Sequence, residues 1–129
     1  MAIIYGIGTD IVRIDRVAAS LQRFGNRFAC RILTEAEQAD FARSPRPAHF
    51  LARRFAAKEA VAKALGLGIS QGLSFRQIGI VHDKYGKPLL EYSGRAAEVC
   101  RERGVGASHI SLSDEQDYAI AYVTLESGQ

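Results

Sequence analysis

The stretch from Pro47 to Leu65 constrains this chain more than any other. It starts on a proline, which suits the first turn of a helix, and stops at Gly66, which suits a helix end. Its interior is rich in alanine and holds no glycine, so intrinsic propensity favours one long helix. With 129 residues in all, the chain fits a single domain spanning 1–129, enough for a real core but too short for two good ones. The rest of that domain has to pack on the helix.

The remaining segments supply strands and shorter helices. Ala2 to Gly8 reads as a short buried strand, apolar and punctuated by glycine. Arg13 to about Phe24 reads as a helix with Ile14, Val17, Ala18, Leu21 and Phe24 on one side. Arg13, Arg16 and Arg23 share an adjacent side. Gly25-Asn26 predicts a break; in an unbroken helix Arg27 and Arg31 would extend the same stripe. Thr34-Glu35-Ala36-Glu37 has the form of a capping box opening a short helix, which Arg43-Ser44-Pro45-Arg46-Pro47 interrupts. Gly66 to Gly72 is a flexible loop. Phe75–Val81 and Leu89–Tyr92 read as strands joined through Asp83–Pro88 into a hairpin. Ser93 can cap a helix ending near Gly104, and two strands come after it at His109–Ser113 and Tyr118–Leu125. The first of these alternates, with Ile110 and Leu112 to one face and His109, Ser111 and Ser113 to the other. That polar face is either solvated or lines a site.

Charge narrows the choice of partner. Residues 1–63 carry 11 Lys and Arg against 6 Asp and Glu, a balance of +5. Residues 64–129 carry 6 against 8, a balance of −2. A basic half favours an anionic partner, whether nucleotide, acidic protein or nucleic acid, over a merely solvated face. No apolar run approaches the ~20 residues that span a bilayer, and the N-terminus lacks the pattern of a secretory signal. Cys30 and Cys100 show no metal-type spacing. The expected location is the cytoplasm.

Two segments carry the chemistry. Gly6-Ile7-Gly8-Thr9-Asp10 puts a carboxylate at a strand end, and Arg54 to Gly66 puts Glu59 among Arg54, Lys58 and Lys63. If the fold joins Asp10 to Glu59, two hard oxygen ligands meet several cations, a set suited to a divalent metal holding a phosphate ester. The plainer alternative is an i,i+4 bridge between Glu59 and Lys63 worth ~0.3–0.5 kcal/mol. Neither segment has a P-loop or dinucleotide fingerprint, which disfavours a conventional ATPase or Rossmann dehydrogenase.

These residues resemble a known family. Gly6 to Val12 together with Arg54 to Gly66 is similar to the holo-[acyl-carrier-protein] synthases, the short bacterial-type 4′-phosphopantetheinyl transferases. Arg31-Ile32-Leu33-Thr34, Phe50 to Phe55, Gly86-Lys87-Pro88 and His109 to Ser113 extend the likeness from Ile3 to about Val123. The resemblance implies an α+β fold, an antiparallel sheet packed against one long helix. It implies transfer of 4′-phosphopantetheine from coenzyme A to a serine of apo-acyl carrier protein, with release of adenosine 3′,5′-bisphosphate. It implies Mg²⁺ on Asp10 and Glu59, Lys63 on a phosphate oxygen, and coenzyme A contacts from Arg54, Lys58, Gly66 and His109. The acidic carrier protein would dock on Arg16 and Arg23, with Arg13, Arg27 and Arg31 behind them. A homotrimer and a role in fatty-acid synthesis come with the likeness.

Two rival readings use the same residues. A non-catalytic module could present the basic half to nucleic acid, though the arginines form no DNA-reading motif. A Mg²⁺-dependent phosphohydrolase would need the carboxylates and cations but no docking stripe. Transfer makes the carrier protein heavier, whereas hydrolysis releases free phosphopantetheine.

Overall fold

The computed structural model describes residues 3–128. Ala2, with which the expected first strand begins, lies outside the described residues. The long helix, α4, spans Pro47–Leu65 as the sequence predicts. It stops because Gly66 turns left-handed at φ 76°, with the Gly66 N–H donating to the Lys63 carbonyl and Leu67 to Ala62, both at 3.0 Å. Most of α4 is buried on all sides, so it is the central helix rather than a surface one.

A three-stranded antiparallel sheet lies against it. Strand β1 (Ile4–Arg13) is followed by α1 (Ile14–Phe24), α2 (Asn26–Ile32) and α3 (Glu35–Ala42), then α4. After it come β2 (Ile78–His82), β3 (Pro88–Tyr92), α5 (Gly94–Glu102), β4 (Val105–Asp114) and β5 (Tyr118–Ser127). The large sheet has the order β1-β5-β4, while β2 and β3 form a separate hairpin. This is the α+β architecture that the resemblance implies. One core layer joins the second half of α4 to the sheet, β2 and α5; another joins its first half to α1 and α2.

Two glycines bring helix and sheet into direct contact. Gly6, Gly8, Asp10 and Val12 alternate toward α4, paired with Leu125, Val123, Ala121 and Ala119 of β5. A methyl group at Gly6 would collide with the carbonyl oxygen of Ala64, and one at Gly8 with that of Ala60. These glycines therefore let helix backbone rest on strand backbone.

Several local expectations need correction. β1 is neither short nor buried: it runs past Asp10 to Arg13, and Ile4, Ile7 and Ile11 are exposed. Only the face under α4 is covered, which leaves alternate side chains outside. On α1, Ile14 and Val17 are buried, but Ala18 and Phe24 are exposed; Phe24 sits at the helix end, beneath the Arg23 guanidinium at 5.1 Å. Gly25, at φ 62°, makes the expected break, yet a further helix, α2, starts directly after it. Phe75–Gln77 is a 3-10 turn rather than strand, because Ser74 and Gln77 cap one another. Ser93 makes no side-chain cap to α5; Gln77 accepts from the Ala96 N–H at 3.2 Å instead.

Candidate active site

The alternation of β1 places the first carboxylate. Gly6 lies under Ala64 and Gly8 under Ala60, so the strand and helix run in opposite directions. The next inward position, Asp10, thus falls beside the stretch of α4 that carries Glu59 and Lys63. Lys63 Nζ donates to Asp10 Oδ1 at 3.1 Å and to the Thr9 carbonyl at 2.9 Å. The plain Glu59–Lys63 bridge does not form: Lys63 turns to the strand. Glu59 is half-buried and makes no hydrogen bond or ion pair among the described residues. Burial, and then the negative charge of Asp10, hold its carboxyl above the usual range, with Lys63 opposing them.

Both carboxylates open on one cleft of about 590 Å³, shared with Arg13, Arg16, Phe28 and Phe55. Among the described residues no three His, Cys, Asp or Glu side chains gather into a metal cage. Two carboxylates in an open cleft fit magnesium, which keeps several waters and takes one or two protein ligands beside substrate phosphates. Their mutual repulsion is what a bound cation would relieve. Phe28 and Phe55 add apolar walls that charge-based reading overlooks.

Other expected site residues lie elsewhere. Lys58 has no exposed surface; its Nζ donates to Glu37 Oε1 and to the Ile32 carbonyl, each at 2.6 Å. Arg54 is 3% exposed, with Nε 3.4 Å from Glu37 Oε2 and its guanidinium 4.4 Å from the Phe50 ring centroid. Burial pulls the pKa of both below normal, against the raising influence of Glu37. The expectation that Lys58 and Arg54 meet coenzyme A is therefore corrected: helical rotation carries them inward as counter-ions of a buried carboxylate. The capping-box glutamate is the signal for this, since Glu37 bonds the Thr34 N–H at 2.9 Å as well.

Gly66 is accounted for by the turn that ends α4, three residues beyond Lys63. His109 lies on the sheet face away from α4, with Nε2 2.6 Å from Glu126 Oε2, so one chain alone does not bring it to Asp10 and Glu59. Arg16 and Arg13 reach the cleft, while Arg27 and Arg31 share a neighbouring hollow with Phe24 and Phe28. A further cluster escaped sequence reading because its members are 65 residues apart: His49 Nδ1 is 2.9 Å from Asp114 Oδ2. Arg46 donates to His49 Nε2 at 2.8 Å, which leaves Nδ1 as the protonated nitrogen. His49 first, and then Arg53, hold the Asp114 carboxyl below the usual range.

Comparison with known proteins assigns the chain as a whole to a family. The family model of the 4′-phosphopantetheinyl transferase superfamily matches residues 6–123. The chain belongs to that superfamily and is accordingly a transferase. Within it, the chain is 53% identical over 123 residues to the holo-[acyl-carrier-protein] synthase of Vibrio cholerae, covering 95% of this chain and 98% of that protein. The crystal structure of a holo-[acyl-carrier-protein] synthase from Neisseria meningitidis superposes with a TM-score of 0.90 at 46% identity, over 95% of this chain and 98% of that one. The Helicobacter pylori holo-[acyl-carrier-protein] synthase in complex with coenzyme A gives 0.81 at 33% identity, over 92% and 98%.

Proposed function

We infer that this chain transfers 4′-phosphopantetheine from coenzyme A to a serine of an apo-acyl carrier protein, in the cytoplasm, with Mg²⁺ and with release of adenosine 3′,5′-bisphosphate. The observation that carries the reading is Glu59, a carboxylate unpaired among the described residues, beside the Asp10–Lys63 pair in one open cleft. In the reaction the serine oxygen bonds to the phosphorus nearer the pantetheine. The bond from that phosphorus to the bridging oxygen breaks, and the electron pair leaves with adenosine 3′,5′-bisphosphate.

Asp10 and Glu59 would hold the magnesium ion. Bound there, it supplies positive charge against the pyrophosphate. Lys63, half-exposed and only one helical turn from Glu59, is free to exchange Asp10 for a phosphate oxygen. Its charge then meets the charge that develops as the leaving group departs. Glu59 would take the proton that the serine hydroxyl loses, through an intervening water. Arg16 lies in the same cleft, so an acidic partner docked on Arg16 and Arg23, with Arg13, Arg27 and Arg31 at the margins, would deliver its serine to the phosphorus.

The outer sheet face supports a homotrimer. Ile7 and Ile11 of β1 stand beside Ile120 and Tyr122 of β5, all exposed. Burying that face against further copies removes it from water, and brings His109 of one copy toward the phosphates held by another. Gly66 would lie near the coenzyme at the end of α4.

Mass spectrometry of carrier protein incubated with the enzyme, Mg²⁺ and coenzyme A tests the reading. A gain of one phosphopantetheine is expected. Unmodified carrier protein with free phosphopantetheine in solution would replace transfer by hydrolysis.

A further inference from the structure

A buried ion cluster lies behind α4, on the side away from the cleft. Glu37 is 2% exposed, and its carboxylate gathers the start of α3, α4 and β2. Its Oε1 accepts from Lys58 Nζ at 2.6 Å and from the Thr34 N–H at 2.9 Å; its Oε2 accepts from the Ile80 N–H at 2.9 Å. Lys58 Nζ also donates to the Ile32 carbonyl, at the end of α2. A buried pair of this kind is a poor source of stability, because apolar residues of the same volume do as well or better. Its use is more often to fix a register.

A register here needs fixing. From Ala56 to Ala64 the buried positions of α4 are alanines apart from Val61 and Lys58, and across from them stand Gly6 and Gly8. Alanine on glycine sets how near the helix comes but supplies few interlocking side chains to set its roll. Glu59 is the residue immediately after Lys58. Side-chain tips lie ~5–6 Å from a helix axis, so a roll of about 10° would move that carboxylate by about 1 Å. A misplacement of that size can cost about 10²-fold in rate.

We propose that Glu37, acting through Lys58, is a positioning residue for the transfer: the buried pair sets the roll of α4 and thereby holds Glu59 in line with Asp10. The proposal rests on the assignment of Asp10 and Glu59 to the reaction. It gives the lysine a role without contact to substrate.

The test uses the full chain as Glu37→Gln, Lys58→Met and the double variant, each checked for folding by circular dichroism. Transfer kinetics and Mn²⁺ affinity by electron paramagnetic resonance are then measured. The single variants lower kcat by 10–100-fold while KM for carrier protein stays within twofold, and each weakens Mn²⁺ binding about tenfold. The double variant removes the Glu37–Lys58 pair but leaves Arg54 buried without its carboxylate, so it melts no higher than wild type and keeps the losses in kcat and Mn²⁺ affinity. A double variant with wild-type kcat and Mn²⁺ binding overturns the proposal, as do single variants whose kcat loss only tracks their unfolded fraction. If the unaltered chain binds Mn²⁺ but transfers nothing, the transfer reading fails by itself. The positioning claim is then decided by Mn²⁺ affinity, and a double variant that binds like wild type refutes it.

Discussion

The candidate site turns on one glutamate, Glu59, which makes no hydrogen bond or ion pair among the described residues. Folding raises the pKa of Glu59, so the folded chain holds that proton more tightly than the unfolded chain does. The stability this lends is complete below the ordinary glutamate range and is lost as pH rises through the raised value. At neutral pH the metal-free protein therefore carries a penalty that Glu59→Gln removes. We predict that this variant melts at the same temperature as wild type or higher, while transfer falls at least ~100-fold. Turnover near wild type at saturating Mg²⁺, or a lowered midpoint, would count against the role. Lys58 teaches the converse at the same scale. Two adjacent charged residues, Lys58 and Glu59, look alike in sequence, and only the roll of the helix sends one inward and the other to the cleft.

At the scale of elements, β1 and α4 act as one unit. Gly8→Ala would drive a methyl group into the Ala60 carbonyl, and we expect a loss of about 3 kcal/mol in urea unfolding, the upper range for overpacking. A loss below about 0.5 kcal/mol would mean that the contact gives way easily. Under the proposed function α1 is the docking face for the carrier protein. Reversing Arg16 and Arg23 to glutamate should raise KM for carrier protein at least tenfold at low salt and far less at high salt, with kcat little changed. An unaltered, salt-insensitive KM would remove the docking face. Only local features were legible at this scale. α4 was readable to the residue because its proline start, alanine interior and glycine stop are all intrinsic to the segment. The capping box at Thr34 was readable for the same reason. β1 was misjudged because its exposure depends on which face α4 covers, and α2 was missed because a break at Gly25 leaves the conformation of the next residues open. Asp10 and Glu59 stood out as chemistry, but their meeting needed the glycine contact that only the fold displays.

For the molecule as a whole, the exposed sheet face is the surface we propose for assembly. An isoleucine and tyrosine surface on a small protein is expected to be buried by further copies. Light scattering should give three times the chain mass for wild type and a lower mass for Ile11→Asp, with transfer falling as the assembly is lost. A wild-type monomer with full activity would confine the site to one chain and leave His109 outside it. The central claim, that Asp10 and Glu59 share one cation at the coenzyme A pyrophosphate, has a direct test in a crystal grown with coenzyme A and Mn²⁺. The account predicts one anomalous peak within about 2.0–2.3 Å of an oxygen from each carboxylate, touching the pyrophosphate. A peak bound by neither residue, or a pyrophosphate seated in another cleft, would contradict it.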